Sequence, residues 1–383
     1  MTAVAPAKQR LSSIDMLRGL VIVWMVLDHT RDFFTSARFE PTDLAHTSVG
    51  LFLTRFVTHF CAPSFILLAG TSAYLAGRHQ SRAELARFLL TRGLWLIAVE
   101  FTFVNFAWNF NLQYKLGLIM QVIWAIGASL CLLAPLVFLP LPVIGTFALL
   151  GIGLHNLLDP IAAKDLGGAA SAWRILHEQG PIVSGLVLYP LLPWVCVMAG
   201  GYVLGTLYDW PAERRRRALI ALGVGALLAF VALRAWNGYG DPAPWSVQRD
   251  VVFSVLSFLN VTKYPPSLCY LLVTLGPALL ALAWFERLQG PLVALLTTFG
   301  RVPLFAYVVH LTLVHALAGI YGWATGFGAK MLSDLFVFYP DGYGTGLPGI
   351  YLAFALVLVL LYPACRWFAG VKRRNHAAWL AYL

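Results

Sequence analysis

The stretch RLSSIDMLRGLVIVWMVLDHTRDFF, residues 10 to 34, sets the terms for the whole chain, because it is apolar in its centre and charged at both ends. Its uninterrupted apolar run, Gly19 to Leu27, covers about 13 Å at 1.5 Å per residue, against a hydrocarbon core about 30 Å thick. The flanking polar residues therefore lie within or just above a bilayer. Asp15, Arg18, Ile22, Met25, His29 and Asp32 follow a 3,4,3,4,3 spacing and share one helical stripe about 100° wide. Such a stripe faces protein or a wet cavity rather than lipid.

The remaining sequence is of the same kind. Sixty per cent of residues are hydrophobic and 11% are charged, whereas soluble domains carry about a quarter charged residues. Apolar runs long enough to span, or nearly so, lie at 16–35, 49–76, 86–108, 115–138, 141–158, 186–208, 217–236, 266–285, 302–320 and 349–370. They predict an all-α, polytopic integral membrane helical bundle of about ten transmembrane helices, forming one domain over residues 1–383. Lys8 and Arg10, then Arg78, Arg82, Arg87 and Arg92, then the arginines at 214–217, and finally Lys372, Arg373 and Arg374 fall on one side of that bundle. By the positive-inside rule both termini, 1–15 and 371–383, are cytoplasmic.

These clusters account for the formal net charge of +10, so no nucleic-acid partner is expected. The arginines at 214–217 read as a membrane-surface anchor, with cofactor phosphates as the alternative role. Asp15 and Arg18 interrupt the first apolar run and no A-x-A site follows it, so the N-terminus reads as retained. Five scattered cysteines (Cys61, Cys131, Cys196, Cys269, Cys365) without C-x-x-C spacing predict neither a disulfide nor a metal site. The longest polar connections, 159–185 and 236–265, are expected to fold over the outer mouth. Ala69, Gly70, Ala73 and Gly77 offer a close-packing face, and Pro63 a kink. The segment 291–299 is too short to cross and predicts a half-helix or re-entrant piece leading into the Gly300-Arg301-Val302-Pro303 turn.

Polar residues at membrane depth are the candidate site residues, since each costs several kcal/mol unless it finds a partner or water. His29 shares a stripe with Asp32 and sits beside Asp28, which suggests an imidazole flanked by carboxylates. That arrangement suits a general base, or a structural hydrogen bond closing the helix end. His46, with Asp43 three residues earlier, lies over a cavity mouth or is an ordinary surface histidine. His59 follows Arg55 by one turn, and His310 follows Tyr307 by three residues; both are site residues or buried hydrogen-bonding histidines. Glu100, followed by Asn105, Trp108, Asn109 and Asn111, suits a sugar held by amides beside a ring, or a membrane-interface belt. Lys263, Tyr264 and Gln121 complete the set. Neither H-E-x-x-H, nor a Walker loop, nor G-x-S-x-G is present. These residues allow proton abstraction and charge stabilisation in a membrane cavity, which leaves an enzyme and a transporter open.

The arrangement R-x-x-S-x-D-x-x-R-G, here Arg10, Ser13, Asp15, Arg18 and Gly19, followed by LVIVWMVLDH, resembles the opening of the heparan-α-glucosaminide N-acetyltransferase family. That family belongs to the transmembrane acyltransferase superfamily. The resemblance continues through FCAPSFILLAG, LGLIMQVIWAIGAS, KYPPSLCYLLVTLG and FGRVPLFAYVVHL. It implies a polytopic enzyme, without a metal, that takes acetyl groups from cytoplasmic acetyl-CoA. The acceptor would be an amine or hydroxyl of a sugar or envelope glycan on the far side of the membrane.

The resemblance also implies a catalytic histidine in the loop after the first helix, for which His46 is the best match, assisted by an asparagine whose place His29 takes. A histidine near the end of the first helix is equally typical of related membrane O-acyltransferases. The expected assignment is therefore His29 or His46 as base with Asp28 beside it. Arg18, Arg78, Arg82, Arg87 and Arg301 would face the cofactor, with Arg18 also paired to Asp15. Asp32, His59, Glu100, Asn105, Asn109, Lys263 and His310 would face the acceptor. A bacterial inner membrane is the expected location, membrane lipids are expected neighbours, and a homo-oligomer is left open. The competing readings are a translocator of a sugar-linked substrate and a scaffold subunit that has lost catalysis.

Overall fold

The computed structural model describes residues 12–112, 114–375, 377 and 380, so Lys8 and Arg10 lie outside the described residues. The first quarter of the chain forms α1 (Ser12–Phe34), α2 (Val49–Thr58), α3 (Cys61–Gly77) and α4 (Arg82–Val99). A π-helical turn (Glu100–Val104) joins α4 to α5 (Asn105–Asn109), and β1 (Leu118–Met120), α6 (Val122–Leu136) and α7 (Leu141–Leu154) follow. Next come α8 (Ala170–Leu176), β2 (Gly180–Ile182), β3 (Gly185–Val187), α9 (Leu191–Leu204) and α10 (Ala212–Trp236). The chain finishes with α11 (Val251–Leu259), α12 (Leu268–Phe285), α13 (Pro291–Gly300), α14 (Pro303–Ala324) and α15 (Leu347–Arg374).

Among the described residues, eight helices are long and apolar enough to cross a membrane, counting α2 with α3 and α4 through α5 as single spans. The expected all-α membrane bundle is thus observed. Helix α1 has the length, 23 residues, but its charges keep it out of that group, and α6 is only 15 residues long. The loops at 112–121 and 177–190 add a feature the sequence reading did not anticipate, a sheet in the order β1-β3-β2. Leu118 pairs with Gly185 in parallel, and Gly180 with Val187 in antiparallel register.

The expected break in the second span falls just before Pro63. Proline has no N–H to give the carbonyl four residues back, which is that of His59. That carbonyl accepts the Tyr270 hydroxyl of α12 instead, at 2.7 Å. The segment 291–299 forms the short helix α13, and Pro303 opens α14 at the first helical position, where a missing N–H costs nothing.

Helix α1 runs through the middle of the bundle, packed against α2, α3, α12, α13, α14 and α15. Its contact with α13 is backbone on backbone. A Cβ at Gly19 would collide with the Leu296 carbonyl, and a Cβ at Gly300 with the Asp15 carbonyl. Each glycine adjoins an arginine, so this close approach carries Arg18 and Arg301 to the same end of the molecule, on either side of Asp15. Arg18 lies 3.4 Å from the Asp15 carboxylate and Arg301 4.0 Å from it.

Gly19→Ala and Gly300→Ala should each lower the thermal unfolding midpoint in detergent, since overpacking a rigid contact costs about 1–3 kcal/mol. Gly225→Ala, where a Cβ meets nothing within 4 Å, should not lower it.

Candidate active site

Two cavities lie on either side of a partition made by Tyr307 and Val122, residues that line both. The first, about 340 Å³, opens at the end of the bundle that carries Asp15 and Arg301. Four cations line it: Arg18 from α1, Arg92 from α4, Arg301 from the turn before α14, and Lys372 from the end of α15. Its inner wall is apolar, with Phe65, Leu89, Leu96 and Leu304. Arg18 is fixed there by hydrogen bonds to the Ser72 hydroxyl and the Leu68 carbonyl of α3. Arg18 and Arg301 were expected at such a site. Arg92 and Lys372 were not, because in sequence they stand among the basic residues that mark the cytoplasmic side.

Arg78, Arg82 and Arg87 are exposed and do not line this cavity. Arg78 pairs with Asp209, and Arg82 donates to the Phe138 carbonyl at 2.6 Å. They stand in the loop after α3 and the first turns of α4, on the outer surface of the bundle. Arg92 lies further along α4 and reaches the cavity.

The second cavity, about 680 Å³, opens at the opposite end and is lined by Asp28, His29, Asp32, His59, Lys263 and Tyr264 among others. Asp28 is the anchor of its charged wall. It accepts from Arg55 at 2.9 Å and from the Thr58 hydroxyl at 2.7 Å, and pairs with Arg31 at 2.7 Å. Arg31 also donates to Asp32 at 2.6 Å. A carboxylate has about four lone-pair sites, and this network engages those of Asp28. Asp28 thus clamps two arginines rather than serving as a free base.

Arg55 and Lys263 make one part of the cavity wall electropositive, and His59 and Tyr264 line it with them. Lys263 lies 5.1 Å above its neighbour's ring. Burial alone would push the Tyr264 phenol up, but the charges of Lys263 and Arg55 and a hydrogen bond from Tyr189 hold it below its ordinary value.

His29 lines this cavity without a carboxylate or cation bonded to it. The expectation of flanking carboxylates is corrected by the structure: its hydrogen-bond partner is His310 of α14, with His29 Nδ1 2.8 Å from His310 Nε2. Successive helical residues point about 100° apart, so Asp28 faces α2, and Asp32 is drawn to Arg31. Trp108 and Tyr307 meet the His29 ring edge-on, with centroids 4.9 and 6.0 Å away. His310 itself is fully buried and does not line the cavity, so it contacts His29 rather than an acceptor.

His46 stands apart. Its side chain is 65% exposed, bonded at 2.7 Å to Asp43, and does not line the cavity. That bond, with a second from the Ala45 N–H, holds the Asp43 carboxyl below its usual range. The neighbouring residues Phe39 to Thr42 do form part of the cavity wall.

Glu100, Asn105 and Asn109 are buried and line neither cavity. Glu100 accepts from the Trp124 N–H at 2.9 Å, supplying an acceptor to the first turn of α6, whose N-cap Gln121 makes no side-chain cap. Asn105 donates to the Glu100 carbonyl at 3.1 Å and Asn109 to the Asn105 carbonyl at 2.7 Å. These amides serve the carbonyls around the π-helical turn, where the regular ladder is interrupted. Of the expected acceptor-side set, Asp32, His59 and Lys263 are brought together around His29. No cluster of three or more His, Cys, Asp or Glu able to hold a metal occurs among the described residues.

No curated protein matches the sequence. The family model described as heparan-alpha-glucosaminide N-acetyltransferase, catalytic, matches residues 10–235. That match takes in α1 through nearly all of α10, including His29, Arg55 and Arg92, while Lys263, Arg301, Tyr307, His310 and Lys372 lie beyond it. With more than half of its length matched, the chain belongs to the heparan-alpha-glucosaminide N-acetyltransferase family.

Proposed function

We propose that the protein is an acetyl-CoA-dependent acetyltransferase that moves an acetyl group across the bilayer to an amine or hydroxyl of a sugar or envelope glycan. The observation that supports this reading is the pair of cavities meeting at Tyr307 and Val122, one lined by four cations and the other containing a histidine. Family membership points to the same chemistry. The basic residues at 78–92, around the start of α4, and at 214–217, in the first turns of α10, favour the cytoplasm for the end that holds Arg18 and Arg301.

The four cations and the apolar wall suit a molecule with phosphates at one end and a long, largely apolar arm. Arg18, Arg92, Arg301 and Lys372 would hold the phosphates. When bound, acetyl-CoA supplies an acetyl thioester. Arg18 and His29 stand eleven residues apart on α1, about 16 Å along the helix, so a phosphate-bearing end at Arg18 leaves the arm to reach past Met25 toward the partition.

His29 takes the proton from the acceptor nitrogen or oxygen as that atom attacks the thioester carbonyl. The C–S bond breaks, and the His29 imidazolium returns its proton to the leaving sulfur. Arg55, Lys263 and Asp32 orient the acceptor's polar groups within the outer cavity. The partition at Tyr307 and Val122 keeps bulk water of the two mouths apart.

Release of free thiol from acetyl-CoA by purified protein, with amino sugars and envelope glycan fragments as acceptors, tests this reading. His29→Ala should cut acceptor-dependent release by about 10²–10⁴-fold, the usual contribution of a general base. His46→Ala should leave it largely intact; loss in that variant alone would transfer the role to His46. Arg301→Gln and Lys372→Gln should each raise KM for acetyl-CoA roughly 10–100-fold, matching the ~1.5–3 kcal/mol of a hydrogen bond to a charged group. Substrate movement across vesicles without thiol release would establish the translocator instead.

A further inference from the structure

The contact between His29 and His310 contains more information than proximity. His310 Nδ1 lies 2.8 Å from the Ala306 carbonyl oxygen, one turn back on α14. A carbonyl oxygen can only accept, so the proton of that bond sits on His310 Nδ1. A neutral imidazole has one donor and one acceptor nitrogen, which leaves His310 Nε2 as a lone pair. His29 Nδ1 is 2.8 Å from that lone pair and must supply the hydrogen between them. The opposite tautomer of His29 would set two lone pairs against each other at that distance.

Ring geometry agrees. Imidazole lone pairs lie in the ring plane, and the two ring planes are within 12° of parallel; centroids as far apart as 4.9 Å with an N···N distance of 2.8 Å set the rings edge to edge, the arrangement of an in-plane N–H···N bond. The edges of Trp108 and Tyr307 keep the His29 ring from turning out of that plane. With Nδ1 committed, His29 Nε2 carries the remaining lone pair. Among the described residues it has no hydrogen-bond partner of its own, and His29 lines the outer cavity.

We infer that His310 is a positioning residue that holds His29 as the Nδ1–H tautomer, so that Nε2 is the basic nitrogen presented to the acceptor. This rests on the proposed role of His29 as base. The chain Ala306 carbonyl, His310, His29 reproduces the logic of a catalytic triad, in which the third group fixes tautomer and orientation without taking the proton. Proton uptake at Nε2 leaves the inter-histidine bond in place and turns it into a charge-assisted one, stronger than a neutral hydrogen bond.

The decisive measurement is the nitrogen NMR spectrum of histidine-labelled full-length protein in lipid bilayers, with the His29 signals assigned by their loss in His29→Asn. The expected result is a neutral His29 with a protonated Nδ1 and a bare Nε2. A protonated Nε2, or a doubly protonated ring in the resting protein at neutral pH, would overturn the inference. His310→Gln offers an amide oxygen near the position of Nε2 and should preserve both the tautomer and most of the thiol-release rate. His310→Met, of similar volume but without a comparable acceptor, should lose the tautomer bias and lower kcat by about tenfold or more with KM for acetyl-CoA unchanged. Equal loss in both variants, with the His29 tautomer unaltered, would mean that His310 is a packing residue. If the spectrum is as expected but His29→Ala still releases thiol, the base assignment fails while the tautomer stands.

Discussion

Helix α1 carries six charged or titratable side chains through the middle of an apolar bundle, and in such surroundings each must find a partner or water. Asp15 meets Arg18 and Arg301, Arg18 meets Ser72, Asp28 meets Arg55 and Arg31, Asp32 meets Arg31, and His29 meets His310. Those partners come from α2, α3, α14 and the turn ahead of α14. Pairing α1 therefore fixes how the elements around it are arranged. The glycine contact with α13 supplies the remaining constraint, because no larger residue lets Arg301 approach Asp15. The two cavities are the spaces left at the two ends of this paired helix.

The residues of α1 that line those cavities were visible in the sequence, because charge inside an apolar helix is costly and hence informative. Arg18, Asp28, His29 and Asp32 stand out on that ground alone, and Arg301 by its place after a segment too short to cross. What could not be seen was which residue answers each of them. His29 and His310 are 281 residues apart, and nothing local marks them as a pair. Neighbouring carboxylates seemed natural partners for His29 on the page, yet helical geometry turns Asp28 toward Arg55 and leaves Asp32 to Arg31.

Glu100 and its asparagines line neither cavity. Their polarity was legible, but polarity at membrane depth has two uses, holding a ligand or satisfying backbone. The π-helical turn and the uncapped start of α6 both leave backbone groups without their regular partners in a place with little water. Glu100, Asn105 and Asn109 each make a hydrogen bond with that backbone. A sequence shows the polar side chain without showing the interrupted ladder that needs it. Pro63 gave better warning, because a proline names the carbonyl it abandons, and the Tyr270 hydroxyl is found on that carbonyl.

The choice of a histidine rather than a carboxylate behind His29 follows from the same constraint. A carboxylate at position 310 would stabilise an imidazolium more strongly, but it would place a permanent charge on α14, at a site with no exposed surface. Burying an ion there costs several kcal/mol unless it is paired, and two cations of the outer cavity, Arg31 and Arg55, are already committed to Asp28 and Asp32. A neutral imidazole held by the Ala306 carbonyl gives His29 a fixed tautomer with no standing charge. In the proposed reaction the positive charge exists only while His29 holds the acceptor's proton, when the inter-histidine bond is charge-assisted. Differential stabilisation of that kind favours the reacting state over the resting one, which is what lowers a barrier.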